Sequence, residues 1–121
     1  MNRGSLLRIG EVAKMYHLSV ELLRYYDKIG LLKPEIVDSD SGYRYYGVKQ
    51  LEHLNLIRFA RTMDIPLERI AKYFHNPQVE NLLDMLNEQQ AALERRKKEI
   101  LSLQHKLNDK VNQINGVLNN S

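Results

Sequence analysis

The chain of 121 residues is long enough for one small domain, or for one domain carrying an extended element. It has no cysteine, which excludes disulfides, iron–sulfur clusters, thiolate metal sites and thiolate redox sensors. The net charge is +3, and residues 1–78 hold 12 Lys and Arg against 9 Asp and Glu, whereas residues 79–121 hold 6 of each. The excess positive charge therefore lies in the N-terminal segment, as neutralising nucleic-acid phosphates would require, although an ordinary solvated surface accounts for the charge alone equally well. No apolar run approaches the ~18 residues of a membrane span. Met1 to Leu7 is too short and too polar for a leader, so the expected location is the cytoplasm.

Ile9, Val12, Ala13 and Tyr16 recur at helical spacing, so residues 9–16 read as a short amphipathic helix. His17 and Leu18 turn the chain. Ser19 suits the N-cap of a second helix, and Glu21 its first turn, where a carboxylate meets the positive end of the helix dipole. That helix is expected from about Val20 to Ile29, burying Leu22, Leu23, Tyr26 and Ile29. Gly30 is placed for a left-handed cap, and Pro34 prevents continuation. Two short helices joined by a tight turn make a helix-turn-helix.

From Glu35 to Tyr46 the pattern changes. Ile36-Val37 and Tyr43 to Tyr46 favour strands, and Asp38-Ser39-Asp40-Ser41-Gly42 between them is dense in turn formers. The result is a hairpin with the shape of a wing, which needs the helices or a partner for stability. Val48 to Met63 is helical again, with Leu51, Leu54, Leu56, Ile57, Ala60 and Met63 available for a core. Asp64-Ile65-Pro66 breaks it, and Pro66 suits the first turn of a fourth helix. Leu67, Ile70, Ala71 and Phe74 define that helix, which Asn76-Pro77 closes.

No proline follows Val79, and Gly116 is the only glycine beyond it. Val79, Leu86, Leu93, Ile100, Leu107 and Ile114 repeat at intervals of seven, with companions at Leu83, Gln90, Lys97, Gln104, Val111 and Leu118. At 1.5 Å per residue this helix spans roughly 60 Å, too long to bury its stripe on the domain before it. The expectation is a homodimer interface formed by Val79, Leu83, Leu86, Leu93, Ile100, Leu107, Val111, Ile114 and Leu118. A helix lying back on its own domain is the alternative. Apolar ends and a polar middle favour antiparallel pairing, because a parallel pair would stack Lys97 on Lys97. The fold class is thus mainly α: a winged helix-turn-helix domain over residues 1–77, then a long antiparallel coiled-coil dimerisation helix over 78–121.

A helix after a tight turn can lie in the major groove and present its early residues to base edges. Here those are Ser19, Val20, Glu21 and Arg24, with Tyr25 close behind. Arg can bind guanine bidentately or clamp a phosphate, and Glu can accept from cytosine N4. Tyr26 and Tyr46 read as core. Arg24 has an alternative in pairing with Glu21 or Asp27, and Glu21 serves equally well as a first-turn residue. His17, His53, His75 and His105 fall on four different segments with no spacing for zinc. Arg95-Arg96-Lys97-Lys98 is flanked by Glu94 and Glu99, which marks a solvated face. With no phosphate loop, nucleophile elbow or clustered acid pair, neither an enzyme nor a cofactor is expected.

Ile9-Gly10-Glu11-Val12-Ala13, the run from Leu23 to Pro34, and Tyr43-Arg44-Tyr45-Tyr46 together resemble the N-terminal domain of MerR-family transcription regulators. The spelling from Gln50 to Ile57 is most similar to the multidrug-responsive branch. The resemblance covers residues 8 to about 75, and the long helix agrees in kind. It implies a promoter-binding homodimer that, when activated, bends and untwists an over-long spacer so that RNA polymerase engages both promoter elements. By position, Ser19, Val20, Glu21 and Arg24 would face the groove. Tyr25, Tyr43, Arg44 and Arg61 would hold phosphates, with Arg58 a weaker candidate. The family often has Lys, Arg or Thr where Glu21 stands, which bears on base preference. Drug-responsive relatives continue into a ligand-binding domain, so a small-molecule inducer is expected only if such a domain follows, and the resemblance favours a piece of a longer protein. The competing reading is a coiled-coil scaffold with a vestigial DNA-binding domain.

Overall fold

A computed structural model describes residues 5–120. The first strand, β1 (Leu7–Arg8), leads directly into α1 (Ile9–Tyr16). The Glu11 carboxylate accepts the Arg8 backbone amide at 2.9 Å, satisfying a donor at the start of the helix. His17 ends α1 with a left-handed φ of 55°, and the Leu18 amide then reaches back to the Ala13 carbonyl at 2.9 Å. Two residues later Ser19 caps α2 (Val20–Lys28), its Oγ accepting the Leu22 amide at 3.0 Å. This is the expected helix-turn-helix.

Gly30 follows with φ of 78°, and the amides of Leu31 and Leu32 both return to the Tyr26 carbonyl. The cap redirects burial. Leu31 and Leu32 turn into the core, whereas Ile29, expected inside, is 44% exposed because the helix ends beside it.

The hairpin consists of β2 (Ile36–Val37) and β3 (Arg44–Tyr46). Asp38 Oδ1 accepts the amides of Asp40 and Ser41, and Gly42, at φ of 74°, donates to the Asp38 carbonyl. The third partner was not expected: β1 pairs antiparallel with β3, giving the order β1-β3-β2, with Arg8 opposite Tyr45 and Ile36 opposite Tyr45. A two-residue strand carries no periodic signal, yet it supplies the extra pairing that an isolated hairpin lacks. Tyr45 and Tyr46 are both buried, so both faces of the central strand are covered.

α3 (Val48–Thr62) opens at Gly47, whose amide donates to Gln50 Oε1 at 2.8 Å, and buries Leu54, Ile57 and Ala60. Asp64 takes a left-handed φ of 62°, and the break itself contributes Ile65 to the core. Pro66 is the N-cap of α4 (Leu67–His75) and not its first-turn residue. α5 (Val79–Asn119) is one helix of 41 residues. Asn81 Nδ2 donates to the Asn76 carbonyl at 2.8 Å, tying the first turn of α5 to the end of α4. Two compact units meet between Leu82 and Leu83, inside α5.

Candidate nucleic-acid interface

Three pieces of the head converge on one cleft of about 440 Å³: the start of α1, the start of α2 and the wing. Val20 and Arg24 line it from α2, and Gly42, Tyr43 and Arg44 from the wing, with Arg8, Ile9, Gly10 and Glu11 on the remaining side. Three guanidinium groups thus face one carboxylate. Such a concave, positively biased surface attracts polyanions more strongly than the net charge suggests.

Each wall has a local cause. The β1–β3 register sets Arg8 opposite Tyr45, and hence diagonal to Tyr43, the residue that immediately precedes β3. The Arg8 guanidinium accordingly lies over the Tyr43 ring, 4.5 Å from its centroid. On the other side, Arg44 Nε donates to Asp27 Oδ2 at 3.0 Å, joining the wing to the last turn of α2. Asp27, half-buried, therefore pairs with Arg44 and not with Arg24. Among the described residues Arg24 has no ion-pair partner, and it stands exposed at the cleft.

Behind these groups lies the fully buried Tyr46, whose hydroxyl has no hydrogen-bond partner among the described residues. Burial, reinforced by the Asp27 carboxylate and opposed by Arg44 and Arg24, pushes its phenol up to about 12. It stays neutral at physiological pH.

The structure thus brings Val20, Arg24, Tyr43 and Arg44 together in the cleft. Ser19 is spent partly on capping, but its hydroxyl hydrogen is left to donate, because Oγ acts as the acceptor towards Leu22. Glu21 and Tyr25 are exposed on α2, and Tyr25 tilts against Tyr26 with ring centroids 6.3 Å apart. Arg58 and Arg61 lie on α3, outside the cleft lining; Arg58 rests over the Tyr16 ring at 5.4 Å. Arg61 is close enough to Tyr26 to oppose the upward pull that burial exerts on its phenol. Sequence reasoning missed Arg8 and Asp27. Arg8 owes its position to a strand too short to foresee. Asp27 is three residues from Arg24 on the same helix, so the sequence offered it only as an alternative partner for Arg24, whereas its partner is Arg44 on the wing.

The expected dimer residues behave differently. Val79, Leu83, Leu93, Ile100, Leu107, Val111, Ile114 and Leu118 are all exposed in the single chain, while Leu86 is half-buried. Among the described residues no group of His, Asp and Glu could hold a metal ion, and no helix is long and apolar enough to cross a membrane.

A helix-turn-helix with a three-stranded wing, followed by a long helix with an apolar stripe, defines a class of winged-helix regulator. Within that class the chain belongs to the MerR family: the signature of the MerR HTH family regulatory protein matches residues 7–76, and that of the MerR DNA-binding region matches residues 51–110. These are transcription regulators, not enzymes. The multidrug-efflux transporter 1 regulator of Bacillus subtilis is 43% identical over 100 residues, 83% of this chain and 35% of that protein. The multidrug-efflux transporter 2 regulator of the same organism is 31% identical over 102 residues, 84% of this chain and 37% of that protein. The chain therefore spans little more than a third of these relatives' length. Among solved structures, the N-terminus of MtaN, the Bacillus subtilis multidrug transporter activator, superposes with a TM-score of 0.78 at 25% identity, covering 87% of this chain and 97% of that one.

Proposed function

We propose that the chain binds promoter DNA as a homodimer, each head laying α2 in the major groove while its wing holds the flanking backbone. The observation that carries this reading is the cationic cleft between α2 and the wing, in a chain that belongs to the MerR family. Ser19, Val20, Glu21 and Arg24 face the groove. Tyr25, Tyr43, Arg44 and Arg61 hold phosphates, with Arg58 a lesser contact, and these fix register without reading sequence. The apolar stripe of α5 pairs antiparallel with a second copy. Two heads fixed on one dyad bend and untwist an over-long spacer, so that RNA polymerase engages both promoter elements. A small-molecule inducer enters only if a sensing domain follows the long helix, and the site of action is the cytoplasm.

The orientation of the pair is testable because the chain has no native cysteine. Mixing Leu107→Cys with Gln90→Cys should give a disulfide-linked heterodimer, while either variant alone stays uncrosslinked. Self-crosslinking of Leu107→Cys would instead mark a parallel pair. For DNA binding, affinity for the chain's own upstream promoter is compared with that for random duplex across a salt series. Specific binding that weakens steeply with salt supports the proposal. Equal affinity for both duplexes at moderate salt would leave a coiled-coil scaffold as the better reading.

A further inference from the structure

We infer that Asp27 aims Arg44 at the DNA backbone, a positioning role exercised through the ion pair that joins α2 to the wing. The inference rests on the phosphate-holding role proposed for Arg44. Two physical costs make the placement of Asp27 informative. It stands in the last turn of α2, where the helix dipole disfavours a carboxylate. It also lies behind a surface that is to receive phosphates, which its charge repels. The interaction that offsets both is its contact with Arg44.

The geometry shows what that contact supplies. Asp27 Oδ2 engages Nε, the guanidinium nitrogen nearest the side-chain stem, at 3.0 Å. The two terminal nitrogens have no hydrogen-bond partner among the described residues, while Arg44 lines the cleft and keeps a third of its side chain exposed. An Arg held at Nε has its planar fork fixed in direction, so less rotamer freedom is lost when the fork closes on a phosphate. The partner oxygen belongs to α2, so the same bond sets the wing's grip relative to the groove-facing helix.

Charge and position predict opposite outcomes for the same substitution. If charge alone mattered, Asp27→Ala would tighten DNA binding by removing a repulsive carboxylate. Positioning predicts the reverse. Binding of the full chain to a mixed-sequence duplex is measured by fluorescence anisotropy across a salt series, with folding followed by circular dichroism. Arg44→Ala should weaken binding about tenfold, the loss of one charge-assisted contact, and reduce the salt slope by about 0.9. Asp27→Ala should reproduce most of that loss and lower the slope in the same sense. In the Arg44→Ala background it should cause no further loss. Asp27→Asn, which keeps an acceptor oxygen and the side-chain shape, should recover part of the affinity and carries the test if the alanine variant loses its fold. Binding by Asp27→Ala or Asp27→Asn at wild-type strength or tighter overturns the inference, as does an additional loss in the Arg44→Ala background. Wild-type binding by Arg44→Ala would overturn the phosphate-holding role itself, a result distinguishable from failure of Asp27 alone.

Discussion

In the winged head Val12, Leu23, Leu54 and Ile70 are 0% exposed, whereas on α5 Val79, Leu107 and Val117 each remain 67% exposed. Both regions carry apolar residues at helical periods, but only the head has enough surrounding elements to cover them. Three strands and four short helices wrap one another there, and even the break at Asp64-Ile65 places a side chain inside. Full burial of a Leu or Ile contributes about 1.5–3 kcal/mol over leaving it exposed, so a stripe of this length favours a second copy strongly. The head covers its own apolar residues, whereas the long helix leaves its stripe open to the second copy proposed above.

The sharpest way to break that contrast is to place charge on the stripe where the single chain leaves it open. Ile100→Asp combined with Leu107→Asp should convert the dimer to a monomer in sedimentation experiments while leaving the helical circular dichroism of the head intact. A dimer that persists would show that the stripe is not the interface. In the head, Leu54→Ala should cost about 2–5 kcal/mol in denaturant unfolding, because it empties a fully enclosed site. A loss below about 1 kcal/mol would mean that the core around α3 collapses to fill the space, and the two regions would then differ less than their burial implies. Gly30→Ala should cost about 1–2 kcal/mol, since any other residue resists the left-handed φ that swings Leu31 and Leu32 into the core.

The smallest effect concerns pH. His53 of α3 stacks on Phe74 of α4, with ring centroids 4.2 Å apart, and burial, assisted by Lys49, lowers its pKa below 6.5. The unfolded chain therefore takes up this proton before the folded chain does. Its contribution to stability is complete above 6.5 and is lost as pH falls from there through the lower folded value. His53→Phe should keep the stack and flatten that part of the stability profile between neutral and mildly acidic pH. An unchanged slope would assign the pH dependence to other groups.

Much of this architecture was legible from local chemistry. Ser19 reads as a cap and is one, Gly30 reads as a left-handed turn and has it, and Asp38 to Gly42 form the expected loop. These signals survive because each depends on a few neighbouring residues. What was not legible depends on pairing at a distance. β1 is two residues long and exists only because β3 is beside it. From that pairing follows the stacking of Arg8 on Tyr43, and so a third cation in the cleft. Asp27 could be assigned to Arg44 only once the wing was seen to return against α2, 17 residues later in sequence. Ile29 fits an amphipathic helix in period yet faces solvent, because the helix stops before the period matters.

The proposed function requires two winged heads acting on DNA together, held by the long helix. The most direct test measures affinity of the wild-type chain and of the Ile100→Asp, Leu107→Asp variant for the chain's own promoter and for random duplex at moderate salt. The wild type should prefer its promoter, and the monomeric variant should keep a folded head but lose both affinity and most of that preference. Promoter binding by the monomer as tight and as selective as that of the wild type would contradict it.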